Sequence, residues 1–265
     1  AIELPIPQIF AADTVNGFVW LSDLGDQLYF HYLNQENVDQ LYHAAFKPLL
    51  SLQQATIDLP AFDCHKLQNR LSGFKHTLIE NYLGLTLTQT EEQVVSDTYD
   101  YLINIVLSQP QVPIHYDYHS QNLLYLNDGT TGIVDFQDAQ YGPITYDLAS
   151  LLRDCYVEWP TSQVRGWIDE YYQQLQQRQL LDATVSLATF NQWFDLTAMK
   201  RHLRASFIFA RKWLRDHDAS YLQHLPRTLH YVHTTCQQYE ELTPFQQLVE
   251  QKILPALKQK QQETR

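Results

Sequence analysis

The sequence predicts an α+β protein that is mostly helical and carries one β-hairpin near its middle. Stretches with apolar residues at helical spacing fill most of its 265 residues. Two apolar runs, Asn122–Leu126 and Gly132–Phe136, flank the turn-forming residues 127–131 and predict the hairpin. Strands and helices do not alternate along the chain, so a doubly wound parallel sheet is not predicted.

The predicted hairpin determines which side chains meet at its open end. If the chain folds about Gly129, Leu123 lies opposite Asp135. Asn122 and Asp135 then emerge together where the two strands open, because Cβ atoms of cross-strand neighbours lie about 5 Å apart. The pattern therefore brings an amide and a carboxylate into one place.

Helices are predicted on both sides of the hairpin, and a short strand is predicted near the start of the chain. The strand is Phe18–Leu21, an apolar and aromatic run that follows the turn residues Asn16 and Gly17. The predicted helices are Asn37 to Leu52, Asp63 to Tyr82, Thr90 to Leu107, Phe194 to Arg215 and Arg227 to Tyr239, with an apolar helical stripe from Val164 to Leu175.

Composition and charge restrict the classes of function. The formal net charge is −12, so the chain lacks the basic excess with which general nucleic-acid binders neutralise phosphates. Its three cysteines, Cys64, Cys155 and Cys236, are dispersed and form no CxxC pair, which favours a reducing cytoplasm over a disulfide framework or zinc site. No apolar run is long enough to predict a membrane span.

The chemistry is concentrated in Asp117, Asn122 and Asp135. Asn122 and Asp135 offer oxygen donors of the kind that Mg²⁺ prefers. Asp117 lies on the loop that enters the first hairpin strand, where its carboxylate can reach the same region without being a metal ligand. Each residue taken singly is more often a cap or turn residue. Together they form the combination that phosphoryl transfer needs, a carboxylate to orient a hydroxyl beside ligands for Mg²⁺.

This compound pattern resembles the aminoglycoside phosphotransferase (choline kinase-like) superfamily. The family's catalytic loop reads His-x-Asp-x4-Asn, which matches His115–Asn122, and its metal strand ends in Asp-Phe, which matches Asp135–Phe136. The resemblance implies a protein kinase-like fold, with a remnant of the small-lobe sheet in residues 1–24 and a helical large lobe in residues 25–265. It also implies ATP and Mg²⁺ as cofactors.

The resemblance implies a role for each matching residue. Asp117 would be the catalytic base, and Asn122 and Asp135 would be the Mg²⁺ ligands. His115 would be a structural residue of the catalytic loop. Asp147 stands in the Asp-Leu-Ala start of the following helix and would support the catalytic loop by hydrogen bonding.

The stretch Phe18–Asp26 resembles the last small-lobe strand and the hinge, which implies that backbone groups of Ser22 and Leu24 contact adenine. The family's phosphate loop and strand lysine have no counterpart before this stretch, because the first lysine is Lys47. Since Met199 is the only methionine, we expect the sequence to be an N-terminally incomplete version of a longer protein.

A closer resemblance is to the cell-wall-recycling kinases that phosphorylate N-acetylmuramate and N-acetylglucosamine at the anomeric hydroxyl. It rests on Val134–Ala139, Gly142–Leu148 and Leu151–Asp154. It implies a sugar and a nucleotide as small-molecule partners. Basic residues of the acceptor cleft would suit the lactyl carboxylate of muramate. The candidate substrate contacts are Tyr116, His119, Asp138, Arg153 and Arg201. The Arg153–Asp154 pair could line the cleft, but such charges more often lie on a helix surface or pair within the helix.

Two alternatives remain open at this point. The acceptor could be another small alcohol, such as an aminoglycoside or a choline-like amine, and the acidic net charge would suit a cationic acceptor. The chain could also be a non-catalytic binding module if the sequence is the whole protein. Nucleotide binding separates the second alternative from the enzymes.

Overall fold

A computed structural model describes residues 4–62 and 72–263. These residues fall into two compact units, one within Ala1–Phe62 and Pro110–Phe190 and one within Asp63–Gln109 and Asn191–Arg265. The predicted division into residues 1–24 and 25–265 follows the lobes of a kinase and stays a prediction. No helix among the described residues is both long and apolar enough to cross a membrane.

Helices dominate both units, as the sequence predicts. The α-helices in chain order are α1 (Tyr29–Tyr32), α2 (Val38–Gln53), α3 (Gln89–Ser108), α4 (Tyr146–Leu152), α5 (Thr161–Gln177), α6 (Leu187–Asp216), α7 (Leu225–Cys236), α8 (Thr243–Leu248) and α9 (Leu254–Glu263). The described residues also contain π-helical segments at Phe74–Tyr82 and Val249–Ile253 and 3-10 turns at Leu222–His224 and Glu240–Leu242.

The long helices confirm the periodicity predictions to within a few residues at most ends. The predicted helix Thr90 to Leu107 is α3, which begins one residue earlier because Thr88 caps it. The Thr88 side chain accepts from the Glu91 amide, and the Glu91 side chain accepts from the Thr88 amide, which forms a capping box. Of the helix predicted over Asp63 to Tyr82, residues 63–71 lie outside the described residues.

The described strands form three two-stranded antiparallel sheets. Their strands are β1 (Ile9–Asp13) with β2 (Phe18–Leu21), β3 (Gln111–Ile114) with β6 (Gln140–Pro143), and β4 (Leu123–Tyr125) with β5 (Thr131–Ile133). Strand β2 is the one that the sequence predicts near the start, and Trp20 on it is 68% exposed. Strands β1, β3 and β6 were not predicted from the sequence. In β3 and β6, Pro and Gly interrupt the apolar pattern.

The hairpin β4–β5 forms at the predicted place, but its predicted register is wrong. Leu123 pairs with Ile133 rather than with Asp135. The loop is shorter than predicted, because Leu126 donates to the Thr130 carbonyl at 3.0 Å and Gly129 supplies a left-handed φ of 81°. The shift is two residues, and side chains alternate with a period of two, so every side chain keeps its predicted face.

Helix α2 is the support on which the hairpin and the loop before it rest. The Tyr29 hydroxyl donates to the Leu41 carbonyl at 3.0 Å and lies 2.6 Å from the Thr131 hydroxyl on β5. Burial raises the pKa of Tyr29 to about 12, so its hydroxyl stays a donor. The buried Tyr118 hydroxyl donates to the Ala45 carbonyl at 2.7 Å. The segment that carries Asp117 is therefore fixed to a long helix by a side chain of its own.

Candidate active site

The catalytic loop predicted from the sequence, residues 115–122, connects β3 to β4 and is closed by its own backbone. The His119 amide donates to the Asp117 carbonyl at 3.1 Å, and the Asn122 amide donates to the His119 carbonyl at 2.9 Å. Tyr116 has a φ of 82°, a left-handed conformation that a bulky residue rarely adopts. Such strain is stable only when the surrounding contacts fix it. The loop is therefore a defined turn with Asp117 near its apex.

Asn122 and Asp135 come together, as the pattern predicts. The Asn122 amide nitrogen lies 3.4 Å from a carboxylate oxygen of Asp135 and donates to the Asp117 carbonyl at 2.9 Å. Strand pairing alone does not produce this, because Val134 is the residue that bonds opposite Asn122, at 3.1 Å. Asp135 has a φ of 66°, so the chain turns there instead of continuing the strand. That turn returns the Asp135 carboxylate towards Asn122.

The side chains at this point fit a divalent cation with oxygen ligands. The bond from Asn122 to the Asp117 carbonyl uses the amide nitrogen, so this bond does not occupy the amide oxygen that the predicted metal contact needs. Gln137 donates to the other Asp135 oxygen at 2.7 Å and holds the carboxylate in place. Among the described residues no group of three or more His, Cys, Asp or Glu side chains could hold a metal. Mg²⁺ is usually held by one or two side chains together with phosphates and water, and its binding by Asn122 and Asp135 stays a prediction.

Two buried residues support the loop where it begins. Asp147 is fully buried at the start of α4, and its two oxygens accept from the His115 amide at 2.6 Å and the Tyr116 amide at 3.0 Å. His115 is 2% exposed, and its Nε2 donates to the Val134 carbonyl at 2.9 Å. His115 thus ties the loop to the residue before Asp135. These contacts are those expected of structural residues, and the roles stay predictions.

We expect the buried His115 to make stability depend on pH. Burial lowers the pKa of His115, despite opposing effects of the Val134 carbonyl and Asp117. The unfolded chain therefore takes up the proton first as the pH falls below about 6.5, and stability decreases through the lower folded-state pKa. His115→Gln retains a side-chain donor and cannot titrate. Its Tm should fall less between pH 7.5 and pH 5.5 than that of the wild type.

The exposed His230 on α7 provides the matched control for this measurement. His230→Gln removes one histidine without touching the loop, and its Tm should follow the wild-type pH profile. Equal pH profiles for His115→Gln and the wild type would contradict a buried neutral His115.

In the predicted hinge, only some backbone groups are available to bond to a nucleotide. The Ser22 amide donates to the Gln8 carbonyl at 2.8 Å, and the Ser22 hydroxyl accepts from the Gln8 amide at 2.8 Å. The Ser22 amide is therefore not available to adenine, and the contact of other backbone groups of Ser22 and Leu24 with adenine stays a prediction. Within the described part of the chain, no hydrogen bond uses the Ser22 carbonyl or the Leu24 amide. Leu24 lines an open cavity of about 550 Å³ together with Tyr125 and Asp128.

The candidate substrate contacts differ in how exposed they are to solvent. Tyr116 is 1% exposed and stacks on Tyr146 with ring centroids 5.2 Å apart, so its ring belongs to the core, and a substrate contact by that ring is not supported. His119 is half-buried two residues after Asp117, and its ring meets Tyr156 at 5.5 Å. Asp138 is exposed three residues after Asp135.

The two candidate arginines lie on different helices and in different units. Arg153 is the C-cap residue of α4 and is partly exposed. Arg201 lies on α6 in the second unit. Their contact with a substrate stays a prediction. Asp154, which was a candidate for the cleft beside Arg153, is only 2% exposed, and burial excludes it from a solvent-filled cleft.

The comparisons with known proteins agree on one family. The model of a phosphotransferase enzyme family, APH, matches residues 1–181. An N-acetylmuramate/N-acetylglucosamine kinase of Pseudomonas putida is 34% identical over 249 residues, which are 93% of this chain and 73% of that protein. A protein of the same name from Neisseria meningitidis is 35% identical over 92% of this chain and 74% of its own length.

Solved structures with the same fold are kinases of small molecules. Choline kinase LicA from Streptococcus pneumoniae matches with a TM-score of 0.60 and 12% identity, over 87% of this chain and 75% of that one. The GDP complex of aminoglycoside 2'-phosphotransferase-IIIa matches with a TM-score of 0.57 and 16% identity, over 90% of this chain and 78% of that one. At these identities the matches establish the fold alone, and they confirm the predicted kinase-like architecture.

The fold and the matched family define the class, a kinase that transfers a phosphoryl group to a small molecule. The chain belongs to the phosphotransferase enzyme family named APH. The predicted superfamily is thereby confirmed.

Proposed function

We propose that the protein is an ATP- and Mg²⁺-dependent sugar kinase that phosphorylates the anomeric hydroxyl of N-acetylmuramate or N-acetylglucosamine during peptidoglycan recycling. The observation that carries the proposal is the identity of 34–35% to kinases named for these two sugars, over 92–93% of the chain. We assign the reaction to the cytoplasm, where ATP is present and free cysteines such as Cys155 and Cys236 stay reduced.

The geometry around Asp117 supports a direct transfer of the phosphoryl group. In this reaction the sugar hydroxyl oxygen attacks the γ-phosphorus, the bond to the bridging oxygen breaks, and ADP leaves. The hydroxyl proton passes to the Asp117 carboxylate. Asn122 and Asp135 would hold Mg²⁺, which would neutralise charge on the phosphates when it is bound. Asn122 also bonds to the Asp117 carbonyl at 2.9 Å, so one side chain fixes the spacing between base and metal site.

The predicted hinge offers adenine the pair of groups that it needs. The carbonyl of Ser22 can accept from the exocyclic amine, and the amide of Leu24 can donate to a ring nitrogen. The bond between the Ser22 amide and the Gln8 carbonyl holds the hinge in one conformation. His119, Asp138, Arg153 and Arg201 remain candidates for contacts with the acceptor.

Product analysis tests the proposed reaction and its position on the sugar. The purified protein is incubated with ATP, Mg²⁺ and either sugar, and the product is read by ³¹P NMR. We expect a sugar 1-phosphate whose phosphorus couples to the anomeric proton. The methyl glycoside of N-acetylglucosamine, whose anomeric oxygen is blocked, should not react. A 6-phosphate product, or reaction of the blocked glycoside, would refute the anomeric assignment.

Parallel assays decide between the proposed acceptors and the alternatives. Choline and an aminoglycoside are offered under the same conditions, and calorimetry measures nucleotide binding. Phosphorylation of either amine without reaction of the sugars would replace the proposed substrate class. A protein that binds no nucleotide would support the binding-module alternative.

A further inference from the structure

A second buried carboxylate, Asp154, lies just after the end of α4. It is 2% exposed, so little water reaches it. One oxygen accepts from the Ser120 amide at 3.0 Å, and the other accepts from the Tyr156 amide at 2.9 Å. Burying a carboxylate is costly unless hydrogen bonds compensate for the lost water. Asp154 therefore exchanges water for two backbone donors, one of which belongs to the catalytic loop.

The two buried carboxylates of this region hold the loop on either side of Asp117. Asp147 binds the amides of His115 and Tyr116, which precede Asp117. Asp154 binds the amide of Ser120, which follows it. Asp147 lies in the first turn of α4, and Asp154 follows two residues after the helix ends at Leu152. The two carboxylates are therefore carried by one short segment of the chain, which holds the loop at two points.

Ser120 is fixed through both of its backbone groups. Its amide donates to Asp154, and its carbonyl accepts from the Phe30 amide of α1 at 2.9 Å. The residue itself is fully buried. Ser120 lies inside the turn that the Asn122 amide closes on the His119 carbonyl, and it directly follows His119, whose amide donates to the Asp117 carbonyl. Releasing Ser120 would therefore let Asp117 move relative to Asn122.

We propose that Asp154 is a positioning residue for phosphoryl transfer, which together with Asp147 fixes the Asp117 carboxylate relative to the Asn122–Asp135 pair. The proposal rests on the proposed function of Asp117 as the base. Asp154 touches no reacting atom, and its effect runs through the Ser120 amide. Misplacement of a reacting group by about 1 Å can reduce a rate by about a hundredfold. The effect should therefore fall on kcat, and the KM for ATP should stay close to that of the wild type.

The test compares Asp154→Asn and Asp154→Ala in the full protein. Asparagine keeps one carbonyl acceptor and alanine keeps none, so kcat should fall by about tenfold and about a hundredfold, respectively. Amide hydrogen exchange of the peptide that contains Ser120 should accelerate in the same order. The control Asp182→Asn changes an exposed aspartate that also accepts from a backbone amide, that of Thr184 at 2.8 Å. Its kcat should equal that of the wild type.

A second control separates positioning from loss of stability. Leu175→Ala removes a fully buried side chain of α5 without touching the loop. At a temperature where all variants are folded, it should lower Tm while kcat and exchange at Ser120 stay near wild type. The proposal is overturned if the Asp154 variants keep wild-type kcat, or if Leu175→Ala with an equal loss of Tm reproduces their kinetic defect.

The hydrogen-exchange measurement needs no sugar substrate, so it tests the anchoring of the loop by Asp154 separately from the proposed kinase function. If the wild type phosphorylates neither sugar, the proposed function fails, and unchanged exchange at Ser120 in Asp154→Ala overturns the anchoring by itself. If the wild type is active and exchange accelerates without any change in kcat, the loop is anchored by Asp154 but the positioning role is refuted.

Discussion

Replacement of Asp117 by asparagine is expected to reduce kcat by about a thousandfold, within the usual range for loss of a general base. Asparagine keeps the size of the side chain but cannot accept the proton of the attacking hydroxyl. Nucleotide affinity should change little, because the bonds from Asn122 and His119 go to the backbone carbonyl of Asp117, which the substitution keeps. The loop should therefore keep its shape in the variant.

Steady-state kinetics with saturating sugar and ATP, together with calorimetric titration of the nucleotide, check this expectation. Asp100→Asn provides the control, because Asp100 is an exposed carboxylate on α3. Its kinetics should match those of the wild type. An Asp117→Asn enzyme with near-normal kcat would remove Asp117 from the role of base.

Replacement of Asp135 by asparagine is expected to lower kcat by about a hundredfold or more and to raise the Mg²⁺ concentration needed for half-maximal rate. The amide is a weaker ligand than the carboxylate, and the site loses the charge that attracts the cation. The backbone should tolerate the change, because Asp135 has a φ of 66° and Asn is among the residues that adopt this conformation most readily. The loss should therefore report on metal binding rather than on folding.

Titration of the rate with Mg²⁺ measures this effect, and Tm verifies that the variant is folded. Asp128→Asn is the matched control, since Asp128 lies in the turn of the same hairpin and its carboxylate accepts from the Thr130 amide. It should leave the Mg²⁺ dependence unchanged. Identical Mg²⁺ curves for Asp135→Asn and the wild type would exclude Asp135 as a metal ligand.

The local part of the site was predictable from the sequence. Strand–turn–strand chemistry around Gly129 predicts the hairpin, and the hairpin predicts that Asn122 and Asp135 approach each other. The register could not be read from the sequence, because a three-residue loop and a five-residue loop fit the same turn residues. The predicted proximity survives the two-residue error in register because the backbone of Asp135 turns into a left-handed conformation.

Two residues that the sequence suggested for the substrate cleft are buried in the structure. Tyr116 and Asp154 each stand beside a residue with a predicted role, so a contact in the cleft was the natural expectation. Tyr116 instead stacks on Tyr146, and Asp154 instead binds the Ser120 amide. Both contacts join residues about thirty positions apart, which no local periodicity encodes. A second carboxylate seven residues after Asp147 was the available signal.

The sequence by itself determined the class of fold, the hairpin and the identity of the three residues that carry the proposed chemistry. These depend on turn chemistry, periodicity and spacing, which act over a few residues. Only the tertiary structure decided how Asp117 is held, because its loop is fixed by the carboxylates of Asp147 and Asp154, the amide of Phe30 and the carbonyl of Val134. Buried backbone groups must find hydrogen-bond partners wherever the fold brings them, and those partners are distant in sequence.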